Sequence, residues 1–198
     1  MEHVNHNFDS VLRDSIATKH QLLNDAATMS KVSFVAEAML MCYQQGNKVI
    51  FAGNGGSAAD AQHLAAEFVS RFDFDRPGLP SLSLATDTSM LTAIGNDYGY
   101  EKLFARQLAA QARPGDIFVG ITTSGRSKNV LAAFEVAASM GVKTVGLCGA
   151  SGIAGVSVDF EIRVPSTNTA RIQECHIVIG HYWCGFVERQ YFRPDNAQ

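Results

Sequence analysis

From residue 48 onward, short apolar runs alternate with helical windows, and this alternation restricts the fold more than any other feature of the chain. Lys48-Val49-Ile50-Phe51-Ala52, Leu82-Ser83-Leu84-Ala85, Asp116-Ile117-Phe118-Val119-Gly120-Ile121, Lys143-Thr144-Val145-Gly146-Leu147 and Asp159-Phe160-Glu161-Ile162-Arg163-Val164 predict five strands. Between and after them, Ser57 to Arg71, Thr88 to Ile94, Glu101 to Ala112, Ser127 to Met140 and Thr169 to Tyr191 predict helices. Apolar strands separated by helices belong to a parallel sheet covered on both faces. The expected class is therefore α/β: a three-layer sandwich, flavodoxin-like, around a five-stranded parallel sheet. In such sheets ligands sit at the carboxyl ends of the strands, so the loops that follow strands carry the chemistry.

Two helices precede the sheet. Val11, Leu12, Ser15, Ile16, Lys19, Leu22 and Leu23 mark one partly apolar stripe, and Val32, Val35, Ala36, Met39, Leu40 and Tyr43 mark the other, with Gly46 as terminator. At about 150 residues per domain, 198 residues make one domain. Residues 1–46 form an N-terminal helical extension to it. A sheet of this kind closes without them, so their exposed apolar stripes predict a subunit contact.

Composition removes several classes of function. Sixteen Lys and Arg against nineteen Asp and Glu give a net charge of −3, without the basic excess that binds nucleic acid. Hydrophobic residues at 46% supply a core, and no apolar run reaches the roughly 18 residues of a membrane span. The opening MEHVNHNFDS has neither a basic nor an apolar region of a secretory signal, so the expected location is the cytoplasm. Cys42, Cys148, Cys175 and Cys184 form no CxxC pair and read as buried hydrophobes. His3, His6 and His20, on a polar stretch, read as solvated.

Two post-strand loops stand out. Gly53-Asn54-Gly55-Gly56-Ser57 lets the backbone approach a ligand, and Ser57 with Asp60 has the spacing of a capping box. It is either a plain turn or an anion site at a helix N-terminus. Gly53, Gly55 and Ala58 also satisfy the GxGxxA dinucleotide fingerprint, but Asp73, 20 residues past Gly53, follows the helix directly rather than a second strand. Thr122-Thr123-Ser124-Gly125-Arg126-Ser127 presents four hydroxyls at the next such position, suited to a phosphate monoester. It is not a nucleotide P-loop, for it has no Gly-Lys-Ser/Thr. The pairing of the two loops is more specific than either alone.

On the helix after the first loop, His63 and Glu67 share a face at i, i+4, a spacing that suits two ligands of one metal and equally a simple helix hydrogen bond. On the last helix, Gln173 and His181 lie eight residues apart, about 12 Å of rise. His181, in an apolar stretch, reads by default as a core histidine. The two reach one small site only if Gln173 sits at a frayed helix start or two subunits each contribute one side chain. Asn96-Asp97 reads as a turn.

Together these segments resemble the SIS (sugar isomerase) domain family, whose members bind phosphosugars. The runs 52–63, Glu67-Phe68-Val69-Ser70-Arg71-Phe72, Thr92-Ala93-Ile94-Gly95-Asn96-Asp97-Tyr98-Gly99 and Arg171-Ile172-Gln173-Glu174 are similar to its phosphoheptose isomerase branch, and the likeness spans nearly the whole chain. The resemblance implies a single SIS domain over 1–198. It implies a cytoplasmic homotetramer with active sites at subunit interfaces, making the first heptose phosphate of lipopolysaccharide core synthesis from sedoheptulose 7-phosphate. It gives Glu67 the proton transfer between sugar carbons and His181 the acid/base partnership. It assigns one zinc ion per subunit to His63, Glu67, Gln173 and His181, with no nucleotide cofactor. Substrate contacts map onto Asn54, Gly55, Gly56, Ser57, Glu67, Asn96, Asp97, Thr122, Thr123, Ser124, Ser127 and Gln173.

Two departures are visible. Thr122 stands where Ser is usual, which keeps the hydroxyl, and Ala170 stands where some relatives carry Asp. The alternative within the family is a non-catalytic protein that binds the replication initiator DnaA. That branch lacks the equivalents of Glu67 and His181, and this chain has both.

Overall fold

In the computed structural model, which describes residues 7–192, the chain opens with two helices, α1 (Phe8–Leu23) and α2 (Ala26–Gln44). Then follow β1 (Val49–Gly53), α3 (Gly56–Val69), β2 (Ser81–Ser83), α4 (Thr88–Tyr98), a 3-10 turn (Tyr100–Lys102), α5 (Leu103–Gln111) and β3 (Ile117–Thr122). The chain continues with α6 (Lys128–Ser139), β4 (Lys143–Cys148), β5 (Phe160–Arg163) and α7 (Thr169–Phe192). His3 and His6 lie outside the described residues.

The five strands form one sheet in the order β2-β1-β3-β4-β5, and every neighbouring pair is parallel. The three-layer expectation holds. Alternate residues of each strand point to opposite layers: Val49 and Phe51 pack with α2, α3 and α7, and Ile50 and Ala52 pack with α5 and α6. Burial on both faces is why β1, β3 and β4 read as apolar runs, while β2 and β5 at the sheet edges are only partly buried.

Caps define the opening helices. The Asn7 side chain accepts from the Ser10 amide at 2.9 Å, and Asp25 accepts from that of Thr28 at 3.1 Å. Gly46, at φ +78°, follows α2 as expected. α1 buries only Thr18 and Leu22, whereas Phe8, Leu12, Ile16 and Leu23 of its apolar side are exposed. A polar clasp holds it to α7: Arg171 donates to the Val11 carbonyl (2.8 Å), and Glu174 accepts from Ser15 (2.6 Å) and Lys19 (3.2 Å).

Two local expectations need correction. Ser57 does not cap α3. The cap position is Gly55, at φ +57°, so the helix starts one residue early, Ser57 is buried in its first turn and no capping box forms with Asp60. Asn96-Asp97 is not a turn either. α4 runs through Gly95 and ends only at Gly99, whose φ of +84° a side chain disfavours.

Candidate active site

The chain leaves β1 toward β2 on one side of the sheet and β3 toward β4 on the other, so β1 and β3 flank the point where the winding reverses. A crevice opens there at the carboxyl ends of the strands. Both loops singled out from the sequence end on it.

The loop after β1 is held by polar contacts. The Asn54 and Asn129 amides pair reciprocally, each donating to the other's oxygen at 2.8 Å, and Tyr100 donates its hydroxyl to Asn54 Oδ1 at 2.8 Å. The loop after β3 folds back on the segment that follows β4. The Ala154 amide donates to the Gly125 carbonyl (3.0 Å), and that of Gly149 to the Thr123 carbonyl (3.1 Å). Gly125 is required: it sits at φ +68°, and a Cβ there would overlap the Gly152 carbonyl oxygen. Ser127 occupies the cap position of α6 but makes no capping bond, because its hydroxyl pairs with that of Thr122 at 2.9 Å. The N-terminus of α6 therefore has no side-chain cap, and beside it lies the exposed Ser124, whose Oγ accepts from the Arg126 amide at 3.2 Å.

A second group of polar side chains lies between α3 and α7, which run side by side in the same direction. Gln173 lies against Gly56, Gly180 against Leu64 and His181 against His63. Gly180 permits the close approach, since a Cβ there would meet the Leu64 side chain at 2.5 Å. His63 Nε2 lies 2.9 Å from His181 Nε2 and 3.4 Å from Glu67 Oε1, and Phe72 backs the His181 ring at 5.4 Å between centroids. His181 is thus not a core histidine. The enclosed one is His176, whose ring burial pushes its pKa down to about 4. One turn before His63, burial pushes the Asp60 carboxyl up to about 6 against the opposing pull of His63, and its Oδ2 is enclosed without a partner. A carboxyl poised near neutrality suits proton transfer.

His63, Glu67 and His181 therefore meet within a single chain, and no second subunit is needed to unite them. Gln173 is the residue that stands apart, held near Gly56, seven residues and about 10 Å of helix rise from His63. Two imidazoles and a carboxylate facing one another are the right donor types for zinc. As they stand the imidazoles bond to each other, and among the described residues no group of three His, Cys, Asp or Glu closes around one point. Asn96 and Asp97 bond to each other at 2.8 Å on the exposed end of α4, and Tyr100, just beyond, is the residue that reaches the first loop.

Asn129 and Tyr100 escaped the sequence reading. Their one visible signal is proximity to motifs, Asn129 two residues past Ser127 and Tyr100 three past Asp97.

The SIS domain model matches residues 12–149. "Phosphoheptose isomerase 2" of Campylobacter jejuni is 53% identical over 193 residues, covering 97% of this chain and 96% of that protein. The phosphoheptose isomerase of Aneurinibacillus thermoaerophilus is 56% identical, covering 93% of each. Among solved structures, the phosphoheptose isomerase of Francisella tularensis superposes with a TM-score of 0.85 at 38% identity, covering 91% of this chain and 96% of that one. That of Neisseria gonorrhoeae gives 0.82 at 39%, covering 90% and 95%. With its two loops at the reversal point of a parallel sheet and its His-Glu-His cluster between α3 and α7, the chain belongs to the phosphoheptose isomerase family of SIS-domain proteins.

Proposed function

We propose that the chain is the aldose–ketose isomerase that converts sedoheptulose 7-phosphate into D-glycero-D-manno-heptose 7-phosphate, in the route to ADP-heptose and the lipopolysaccharide core. The observation that carries this reading is the meeting of His63, Glu67 and His181 in a chain that also carries a hydroxyl-rich loop opening a helix. A ketose becomes an aldose when a proton leaves C1 and one arrives at C2 through an enediol. Glu67 takes and returns the carbon-bound proton. Its Oε1 faces His63, leaving the second oxygen for this work. His181 gives a proton to the C2 oxygen and removes one from the C1 oxygen, and its contact with His63 orients the ring. The phosphate, bound far from these carbons, supplies binding energy that fixes them in place. A zinc ion held by His63, Glu67 and His181 would polarise the carbonyl and stabilise the enediolate, whereas Gln173, held at Gly56, stands too far along α7 to join them as the fourth donor the resemblance implies. The test is conversion of the ketose phosphate followed by NMR, with and without chelator. No turnover by metal-replete protein would favour the DnaA-binding reading, which pull-down of the initiator then checks.

The Ser124/Ser127 loop holds the phosphate in this reading. Ser124→Ala with Ser127→Ala removes two hydrogen bonds to a charged group, worth about 1.5–3 kcal/mol each. KM for the phosphorylated sugar should rise at least about a hundredfold. An unchanged KM would place the phosphate elsewhere.

A homotetramer in the cytoplasm completes the proposal. No helix among the described residues is long and apolar enough to cross a membrane, and Phe8, Leu12, Ile16 and Leu23 of α1, with Val178 and Tyr182 of α7, leave apolar surface uncovered. That surface supports placing the sites at subunit boundaries. The separation of Gln173 from His181 no longer argues for shared Glu67 and His181, because His63 touches both in one chain. Mixing Glu67→Gln and His181→Ala subunits should therefore restore no activity, even where mass spectrometry shows mixed tetramers. Partial recovery would mean that the two residues come from different chains.

A further inference from the structure

We infer that Asn129 and Tyr100, acting through Asn54, fix the span between the phosphate end and the reacting end of the site and so select the length of the sugar. The inference rests on the isomerase reading above. Asn54 belongs to the loop that starts α3, the rigid helix that carries His63 and Glu67. Asn129 belongs to the first turn of α6, the helix opened by the phosphate loop. Their reciprocal amide pair, two bonds of 2.8 Å, joins one helix start to the other across the point where the winding reverses. A two-bond amide pair fixes separation and orientation together, which a single hydrogen bond does not.

The Asn129 half of the pair is buried, at 3% exposed, and Asn54 is half-buried. Tyr100 adds a third bond to the pair at Asn54 Oδ1, and it lines both cavities that border the contact. One, of about 310 Å³, is lined by apolar Leu91, Leu103 and Phe104; the other, of about 480 Å³, lies against Ser127 and Lys128. A sugar phosphate anchored at Ser127 therefore meets Asn54, which lines both cavities.

A misplacement of about 1 Å at the reacting atoms costs on the order of a hundredfold in rate. Ketose phosphates of five, six and seven carbons differ by one carbon at each step, so a span held to less than a bond length discriminates among them. Asn129 and Tyr100 are positioning residues; neither is required to touch the reacting carbons.

The experiment compares wild type, Asn129→Ala and Tyr100→Phe on ribulose 5-phosphate, fructose 6-phosphate and sedoheptulose 7-phosphate. For Asn129→Ala on the heptulose phosphate, kcat should fall about 10- to 100-fold while KM moves by less than about threefold, since the phosphate loop is untouched. The kcat/KM preference for seven carbons over six should drop at least about tenfold. Tyr100→Phe changes one exposed hydroxyl and leaves the core intact, so it decides the matter if Asn129→Ala does not fold. It should shift the preference in the same direction by a smaller factor. Equal loss on all three sugars, or an unmoved preference in Tyr100→Phe, overturns the inference while the isomerase reading stands. A wild type that leaves the heptulose phosphate unchanged overturns both.

Discussion

Glu67→Gln is expected to leave a folded protein that binds its sugar phosphate and turns it over about 10²- to 10⁴-fold more slowly. Glutamine keeps the length and shape of the side chain and still offers an oxygen toward His63, so α3 and its packing on α7 are undisturbed. It cannot accept a proton from carbon. The loss should fall on kcat, with KM changed little, because phosphate binding lies at the other end of the site. Exchange of the substrate C1 proton with deuterated water, read by NMR, should disappear together with turnover. Exchange that persists at the wild-type rate would move the base to another residue.

The largest expected effect on stability is that of Glu188→Ala. Glu188 is fully enclosed and accepts from the amides of Phe72 (2.8 Å), Asp73 (2.6 Å) and Phe74 (3.2 Å) and from Arg76 Nε (2.8 Å). Arg76 in turn donates to the carbonyls of Phe68 (2.5 Å) and Glu67 (2.8 Å), so the pair ties the end of α3 to α7. Removing the carboxylate leaves a buried guanidinium without its partner, at about 3–5 kcal/mol. At roughly 2–4 °C per kcal/mol for a domain of this size, the thermal midpoint should fall by roughly 6–20 °C. A shift under about 2 °C would show that water or another acceptor replaces the carboxylate.

The same carboxyl predicts a pH dependence. Burial alone would raise its pKa, but the Phe72 and Asp73 amides and Arg76 together hold it below the usual range. A group depressed in the folded state contributes fully above its unfolded pKa, about 4.3, and loses that contribution as acid protonates it. Wild type should lose stability as the pH falls through and below 4, and Glu188→Gln should flatten that part of the curve. Equal slopes for the two proteins would assign acid unfolding to other carboxylates.

β1, β3 and β4 were legible in the sequence because burial on both faces leaves a nearly uninterrupted apolar run. The phosphate loop was legible because hydroxyls concentrated after a strand have a chemical use. The start of α3 was misread because Ser57 is a better cap by composition than Gly55, while the backbone geometry at Gly55 places the cap. α4 was cut short because Gly95-Asn96-Asp97 carries turn chemistry that the helix overrides. Gln173 and His181 look incompatible with one site when α7 is taken alone. Only the second helix beside it shows that each has its own counterpart, Gly56 and His63, at nearly the same spacing. Asn54 with Asn129, and Arg76 with Glu188, are partners across 75 and 112 residues, and no local pattern announces such pairs.

The contact between Gly125 and Gly152 limits how this protein can be stabilised by design. Replacing a glycine by alanine commonly adds about 0.4–1 kcal/mol by narrowing the freedom of the unfolded chain. At Gly125 the added methyl would have to share space with a peptide carbonyl of the facing segment, at a positive φ that alanine resists. The turn that presents Ser124 can therefore be stiffened only from its far wall, where Glu161 accepts the Ile153 amide at 2.5 Å and pairs with Arg163 at 2.8 Å. A library aimed at thermal tolerance would do best to hold both glycines constant and vary the residues around that carboxylate.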